Sequence, residues 1–195
     1  MNGLLLVTME PPPAMEEEFN DWYDHEHIPE RIALPGILSA TRWVCLQGWP
    51  RYLALYDLAS AEVMRSPEYT AVAGPNVSPW SHRVLPRTIG RRRVVATQAT
   101  PATTLPTTLV ATAPDPATLV VARYPGTLPP TALDQIQGLA GIMHARLFHT
   151  IDDPVESWVL AAFDRPPGDL AAFTALHDRG ALLVNAYTRY FRAHP

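Results

Sequence analysis

The order of predicted elements repeats along the chain, and this repeat constrains the fold more than any other feature of the sequence. Apolar runs bounded by turn residues predict strands, and amphipathic stretches predict helices. In the first half the predicted strands are 3–9, 37–46, 51–58 and 84–98, and the helices are 14–27 and 60–73. In the second half the predicted strands are 118–124, 142–151, 157–163 and 182–191, and the helices are 130–137 and 169–179. Both halves therefore have the order βαββαβ.

Short stretches of sequence also align between the two halves. Residues 34–43 (LPGILSATRW) align with residues 139–148 (LAGIMHARLF), and residues 54–57 (ALYD) align with residues 161–164 (AAFD). Similarity between segments that occupy the same place in a repeated order of elements is typical of internal repeats. The sequence therefore predicts a diverged internal duplication.

The βαββαβ order is that of the ferredoxin-like unit, in which two helices cover one face of a sheet. The other face needs cover, and two such units in one chain can supply it to each other. We therefore predict an α+β fold of two tandem ferredoxin-like βαββαβ units, whose antiparallel sheets pack into an intramolecular α+β barrel with a cavity between the sheets. The predicted domains are 1–98, which carries the candidate site, a Thr/Pro-rich linker at 99–116, and a degenerate unit at 117–195.

Composition excludes several classes of partner. The formal net charge of −4 and the pI near 5.9 give no electrostatic footprint for nucleic acid or for an anionic membrane, so neither is an expected partner. Cys45 is the only cysteine, which excludes an intrachain disulfide and cysteine-rich zinc sites and favours a reducing compartment. The apolar run 4–7 is too short for a signal sequence or a membrane span. We expect a cytoplasmic protein.

The first predicted helix combines aromatic residues with histidines. Phe19, Trp22, Tyr23 and His27 recur at helical spacing, which predicts an aromatic stripe facing the core. Pro29 disfavours the helical conformation at the preceding residue, so the helix should end near His27. By the same geometry His27 faces inward with the aromatic rings and His25 faces outward. The two imidazoles are about 200° apart on a helix, so one ion cannot take both, and no metal site is predicted.

The sequence of this region resembles that of a known superfamily. Residues 19–29 (FNDWYDHEHIP) and 34–36 (LPG), which lead into the strand around 39–44, resemble the dimeric α+β barrel superfamily and especially its EthD-like branch. The superfamily includes polyketide cyclases and dehydratases, muconolactone isomerases, cofactor-free quinone-forming monooxygenases and haem-dependent relatives. The resemblance implies a pocket for a small hydrophobic or aromatic substrate. It places the pocket histidine at His27, with Trp22 and Tyr23 as companions, whereas Ala132 stands at the matching place of the second half.

These residues suggest acid/base chemistry. A neutral imidazole beside an apolar cavity can act as a general acid or base, Tyr23 can hydrogen-bond a carbonyl or enolate, and Trp22 can form an apolar wall. Asp24 and Glu30, at i−3 and i+3, can fix the tautomer of His27. The alternative is that His27 and both aromatic residues are only parts of the core.

A second pair of candidates comes from the segment before the last strand of the first half. His82 and Arg83 can orient a polar or anionic end of a substrate if they reach the mouth of the barrel, and otherwise they are surface residues of a loop. The predicted substrate-binding residues are therefore Trp22, His82 and Arg83. The predicted catalytic residues are His27 and Tyr23.

The leading hypothesis is a cofactor-independent enzyme that cyclises, dehydrates or isomerises a hydrophobic carbonyl or polyketide-like substrate, with His27 as the acid/base. The first alternative is an EthD-like monooxygenase or a haem-linked protein of the same fold. The second alternative is a ligand-binding barrel without catalysis. A homodimer is possible but not required, because the predicted barrel closes within one chain.

Overall fold

The computed structural model describes residues 2–99, 116–165 and 175–191. The strands of these residues close into one barrel in the order β1-β3-β2-β8-β5-β7-β6-β4. They are β1 Gly3–Glu10, β2 Ile37–Gln47, β3 Tyr52–Leu58, β4 Ile89–Gln98, β5 Thr118–Pro125, β6 Ile142–Thr150, β7 Glu156–Phe163 and β8 Leu183–Arg189. Every neighbouring pair is antiparallel.

The helical elements are short. The first helix has three consecutive parts, α1 Glu16–Trp22, a π-helical turn Tyr23–His27 and α2 Ile28–Ile32. The other α-helices of the described residues are α3 Pro67–Thr70, α4 Pro79–Val84 and α5 Ala132–Gln137, and 3₁₀ turns lie at Pro13–Met15, Ala61–Arg65, Gly74–Asn76 and Leu85–Arg87. Of the predicted helix 169–179, residues 175–177 are helical and residues 169–174 lie outside the described residues. No helix among the described residues is long and apolar enough to cross a membrane.

The predicted fold is confirmed. The first four strands have the order β4-β1-β3-β2 and the last four have the matching order β8-β5-β7-β6, which is the ferredoxin-like order in each half. The pairs β2–β8 and β4–β6 join the two sheets into a barrel within one chain. Most of the predicted linker 99–116 lies outside the described residues, and the division into domains stays a prediction.

The backbone turn before the second strand of each half is the same. Gly36 and Gly141 both have positive φ angles, 85° and 80°, which glycine adopts without the steric cost that other residues meet. Their carbonyls accept hydrogen bonds from the amides of Ala59 and Asp164, at 2.8 and 3.0 Å. Ala59 therefore corresponds to Asp164. This agrees with the alignment of residues 34–43 with residues 139–148. The alignment of residues 54–57 with residues 161–164 is wrong by two residues. Four matching residues are too few to determine the register of a strand.

The barrel is filled by its own side chains. Alternate residues of the strands point inward and form one apolar cluster that includes Trp43, Phe148 and Trp158, each fully buried. An eight-stranded barrel is just wide enough for side chains to fill its interior. The predicted cavity between the sheets is therefore replaced, among the described residues, by packed side chains. Inside the barrel, Arg146 donates to Asp57 at 2.6 Å, which links the two halves.

The opposite face of each sheet is covered by helices, and we call these the first-half and second-half helix layers. The first-half layer contains the apolar cluster around Phe19, Trp22, Tyr23, Tyr52 and Tyr56. The second-half layer contains mainly aliphatic residues, among them Val120, Leu133, Ile136, Leu147 and Leu176. The site residues predicted on the first helix lie in the first-half layer rather than in the barrel.

Three predicted boundaries differ from the structure. The first helix continues to Ile32, because the π-helical turn shifts the hydrogen bonds before Pro29 and the amide of Ile28 donates to the carbonyl of Tyr23. The helix predicted at 60–73 is divided at Ser66 and Pro67, where the Ser66 side chain caps α3. In the same way Ser78 and Pro79 begin α4, so β4 begins at Ile89 instead of residue 84.

Candidate functional site

The π-helical turn places the ring of His27 on Trp22. The two ring centroids are 4.4 Å apart and the planes are stacked at 30°, while the ring of Tyr23 meets His27 edge-on at 5.3 Å. Trp22 and His27 are five residues apart, the spacing of the hydrogen bonds in a π-helix, and such turns occur frequently at functional sites. The inward orientation predicted for His27 is confirmed. His25 is exposed, as predicted, and bonds the carbonyl of Asp21.

An aromatic cluster surrounds this pair. Phe19 lies 5.0 Å from both Tyr23 and Tyr52, and Trp22 lies 4.6 Å from Tyr23, in tilted or edge-on arrangements. Edge-on and offset contacts of this kind stabilise aromatic pairs beyond the area that they bury. Trp22 and Tyr23 are buried. The structure therefore brings together three of the predicted site residues, Trp22, Tyr23 and His27.

Helix α4 lies along one face of the first helix. Three side-chain contacts join them, Glu18 with Arg83 at 2.5 Å, Trp22 with Ser81 at 3.0 Å, and Glu26 with Ser78. The partners on the first helix advance by four residues while those on α4 run backwards, so the two helices are antiparallel.

This arrangement determines where the other two predicted residues lie. His82 and Arg83 are on the exposed side of α4, and Arg83 pairs with Glu18. The structure therefore does not bring them to His27, and their role in substrate binding stays a prediction.

Three polar atoms on aromatic side chains of the first-half layer are buried and have no hydrogen-bond partner among the described residues. They are Nδ1 of His27, the phenol oxygen of Tyr56 and the indole Nε1 of Trp80. Tyr56 and Trp80 belong to, or pack against, the same apolar cluster as Trp22. Buried polar atoms are nearly always hydrogen-bonded, so these three make the layer a candidate ligand site. Such atoms also occur elsewhere among the described residues, for example at Gln98, Thr118 and His144.

The predicted support of His27 by acidic neighbours is wrong. The carboxylate of Asp24 accepts from Arg42 at 2.7 Å, and Glu30 pairs with Arg31 at 3.4 Å, so neither acid bonds Nδ1 of His27. The physical reason is that both acids lie within reach of a guanidinium, a charged and multidentate donor that outcompetes a neutral imidazole.

Burial and nearby cations keep the site residues neutral. Desolvation lowers the pKa of His27 to about 3, and the positive charges of Arg31 and Arg42 lower it further. Desolvation raises the pKa of Tyr23 to about 12 and that of Tyr56 well above its usual value. At neutral pH the layer therefore presents a neutral imidazole and protonated phenols beside two guanidiniums.

Arg42 is a site residue that sequence reasoning missed. It is buried on β2, donates to Asp24 and to the side-chain oxygen of Asn20, and lies 4.4 Å from the centroid of Tyr23 and 4.1 Å from that of Tyr190. Its position on the helix side of a strand is readable from alternation, because Ala40 and Val44 are on the same face. Its partners come from distant parts of the chain and have no local signature.

A haem group does not fit the described residues. In the first-half layer, the ring of His27 is stacked on Trp22 at 4.4 Å and met edge-on by Tyr23 at 5.3 Å, so the imidazole is engaged with side chains of its own helix. In the described part of the second half, His177 is exposed and two other histidines are placed away from a common ligand site. There His149 bonds the carbonyl of Leu128 at 3.0 Å and His144 is on the barrel side of β6. The described residues contain no cluster of three His, Cys, Asp or Glu side chains that can hold a metal ion.

Comparison with known proteins gives structural neighbours only. No protein-family model matches the sequence, and no curated protein matches it. An anthrone oxidase-like protein of known structure is similar with a TM-score of 0.64 and 12% identity, over 97% of this chain and 91% of that one. A mutant chlorite dismutase from Candidatus Nitrospira defluvii in complex with cyanide is similar with a TM-score of 0.58 and 12% identity, over the same shares of the two chains. At these identities the likeness is one of fold alone.

Proposed function

We propose that this protein is a cofactor-independent monooxygenase of the EthD-like branch, which oxidises an anthrone-type aromatic substrate to a quinone in the first-half helix layer. The observation that carries the proposal is a set of three buried polar atoms, at His27, Tyr56 and Trp80, that have no hydrogen-bond partner among the described residues. The similarity of fold to an anthrone oxidase-like protein supports the substrate class. The aromatic surroundings suit a flat polycyclic molecule.

The polar atoms of the layer suit a substrate with oxygen acceptors. The phenol of Tyr56 and the indole of Trp80 are unused hydrogen-bond donors that a substrate oxygen can accept from. The positive charges of Arg31 and Arg42 are close enough to Tyr56 to affect its pKa. Donors and cations that are fixed before the reaction stabilise negative charge that develops on a carbonyl oxygen. They therefore favour the enolate form of an anthrone over the neutral ketone.

The reaction is balanced without a cofactor. His27 takes a proton from the methylene carbon, and the resulting carbanion transfers an electron to dioxygen and forms a carbon–oxygen bond with it. The imidazolium returns its proton to the terminal peroxide oxygen. Loss of the second methylene proton then breaks the oxygen–oxygen bond and releases water, so an anthrone and dioxygen give an anthraquinone and water.

The low pKa of His27 is compatible with this role. With a pKa of about 3 the imidazole is neutral at neutral pH, so it carries no extra proton before the substrate binds. Proton transfer from the substrate produces an imidazolium and an enolate side by side, and the negative charge of the enolate raises the pKa of the imidazolium and so favours the transfer. Proton transfer is thereby confined to the complex with substrate.

The cyclase, dehydratase or isomerase hypothesis shares the first proton transfer, and differs only in the fate of the carbanion. The test is the conversion of anthrone to anthraquinone by chelator-treated protein in air and under nitrogen. We expect conversion with uptake of one dioxygen per anthrone in air and none under nitrogen. Product that forms equally under nitrogen from a polyketide-like ketone supports the cyclase hypothesis. No turnover of either substrate contradicts both.

A cytoplasmic location, a homodimer and the division into two units with a linker remain part of this proposal. Gel filtration with light scattering tests the homodimer, and limited proteolysis tests the linker at 99–116.

A further inference from the structure

A cleft opens in the second-half helix layer. Its volume is about 310 Å³, which is in the range of small-molecule sites. It lies between β5, helix α5 with the residues that precede it, and the turn that precedes β8. All of its lining residues belong to the second half of the chain. The cleft is therefore separate from the site proposed above.

The walls of the cleft are mainly aliphatic. Leu128 and Pro129 line it from the loop before α5, and Ala132 and Ile136 line it from α5 itself. Ala132 corresponds to His27 by its spacing from the turn glycine, so the second half has a methyl group where the first half has an imidazole. Aliphatic walls bind ligands by removing apolar surface from water. They therefore favour a ligand with an aliphatic chain.

The polar side chains that line the cleft offer hydrogen-bond donors. They are Thr131, Gln135 and Arg179. Arg179 donates through Nη1 to the carbonyl of Ala175 at 2.5 Å and through Nε to Oε1 of Gln135 at 3.4 Å. These contacts leave Nη2 of Arg179 and the amide nitrogen of Gln135 without a hydrogen-bond partner among the described residues. Two such donors side by side suit the two oxygens of a carboxylate.

The charge in the cleft is positive. Arg179 is the charged residue of the lining, and no carboxylate within the described ranges forms an ion pair with it. The nearby acids Asp134 and Asp178 are exposed and do not line the cleft. Burial raises the pKa of the Tyr124 phenol and the charge of Arg179 opposes this rise, so the guanidinium acts on the interior of the cleft. A cation without an acidic partner matches a ligand with a single negative charge.

We propose that this cleft binds a medium-chain aliphatic monocarboxylate. Arg179 and the amide of Gln135 bind the carboxylate. The chain packs against Ala132, Ile136 and the ring of Tyr124. The inference is independent of the proposed oxidation, because it shares no residue with the first-half layer and depends on binding alone.

The test is calorimetric titration with butanoate, hexanoate and octanoate, and with octanamide as a neutral analogue. We expect the affinity to rise with chain length, by up to about fourfold for each methylene that the cleft buries. We expect octanoate to bind at least about threefold more tightly than octanamide. The factor is modest because Arg179 is exposed, and exposed ion pairs contribute little.

Two substitutions in the cleft separate the charge from the walls. Arg179→Gln is expected to lower the affinity for octanoate to that for octanamide and to leave the affinity for octanamide unchanged. Ala132→Leu fills part of the cleft and is expected to weaken binding of both ligands by about tenfold or more. Arg179 is exposed and Ala132 is half-buried, so both variants are expected to fold, and their melting temperatures check this.

Two control variants separate the cleft from the rest of the molecule. Arg65→Gln, which removes an exposed arginine paired with Glu62 at 3.2 Å, is expected to leave the affinity for octanoate unchanged. His27→Gln is also expected to leave it unchanged, even where it abolishes oxidation. The proposal is overturned by absence of binding at millimolar octanoate, by equal affinity of the parent for octanoate and octanamide, by unchanged affinity in Ala132→Leu, or by loss of binding in His27→Gln.

Discussion

The two helix layers cover equivalent sheets with different chemistry. The first-half layer contains six aromatic core residues, Phe19, Trp22, Tyr23, Tyr52, Tyr56 and Tyr69, together with the imidazole of His27. The apolar cluster of the second-half layer has aliphatic residues around Tyr124 and Phe163. His27 precedes Gly36 by nine residues, and Ala132 precedes the equivalent Gly141 by the same number.

The difference shows that strand order and site chemistry depend on separate parts of the sequence. Alternation along the strands is sufficient for either half to complete the barrel, whatever its helices carry. The polar atoms without partners at His27, Tyr56 and Trp80 are in the first-half layer. A fold of this kind therefore tolerates different chemistry in its two helix layers, since function resides in sites rather than in folds.

The largest expected effect is on activity. His27→Gln is expected to lower the rate of anthrone oxidation by about 10²–10⁴-fold, because it removes the proton acceptor. The reciprocal change, Ala132→His, is expected to give no new activity in the His27→Gln background, because the second-half layer is mainly aliphatic where the first-half layer is aromatic. The measurement is the initial rate of quinone formation. A rate in His27→Gln equal to the parent's contradicts the assignment.

The second effect is on stability and concerns the link between the halves. Asp57→Ala is expected to lower the free energy of unfolding by about 3–5 kcal/mol, because Arg146 is fully buried and loses the partner that it contacts at 2.6 Å. Urea denaturation measures the change. Asp164→Ala, which removes an exposed aspartate paired with Arg165, is the control and is expected to leave the midpoint unchanged. Equal midpoints for both variants contradict the prediction.

The third effect compares a histidine from each half as pH falls. Burial lowers the pKa of His27 to about 3 and that of His144 to about 4, whereas an unfolded histidine has a pKa near 6.5. Below pH 6.5 the unfolded chain binds protons that the folded chain does not, so stability falls with pH, by up to about 1.4 kcal/mol per pH unit for each histidine.

Substitution separates the two contributions. His27→Gln and His144→Gln are each expected to flatten the dependence of unfolding free energy on pH between 6 and 4. Below pH 4 only His27→Gln still flattens the dependence of the unfolding free energy on pH, because His144 is by then protonated in the folded protein as well. His25→Gln is the control for the same turn. Slopes that match the parent's in both variants show that neither histidine is buried as described.

The smallest effects concern α4, which contacts the first helix through one buried and two more exposed pairs. Ser81→Ala is expected to lower the free energy of unfolding by about 1–3 kcal/mol, because it leaves the buried indole N–H of Trp22 without its acceptor. Arg83→Ala removes an exposed ion pair and is expected to change the free energy of unfolding by less than about 1 kcal/mol. Thermal denaturation compares them. A larger loss in Arg83→Ala reverses the order and contradicts the geometry of α4.

The fold was largely readable from the sequence, because periodicity and the repeated order of elements determine the strands. The Ser66–Pro67 and Ser78–Pro79 starts of α3 and α4 were also readable, as Ser caps followed by Pro. The π-helical turn was not, since Pro29 indicates only that the α-helical pattern changes. Arg42, Tyr56 and Trp80 were missed because their places in the first-half layer depend on strand register and on the packing of α4.

The most direct test of the account is a crystal structure of the protein with the product anthraquinone. The account predicts the tricyclic ring in the first-half layer beside Trp22, with its oxygens within hydrogen-bond distance, about 3 Å, of His27 Nδ1, Tyr56 or Trp80. Anthraquinone bound in the second-half layer, or anywhere else outside the first-half layer, contradicts the claim that the first-half layer is the site.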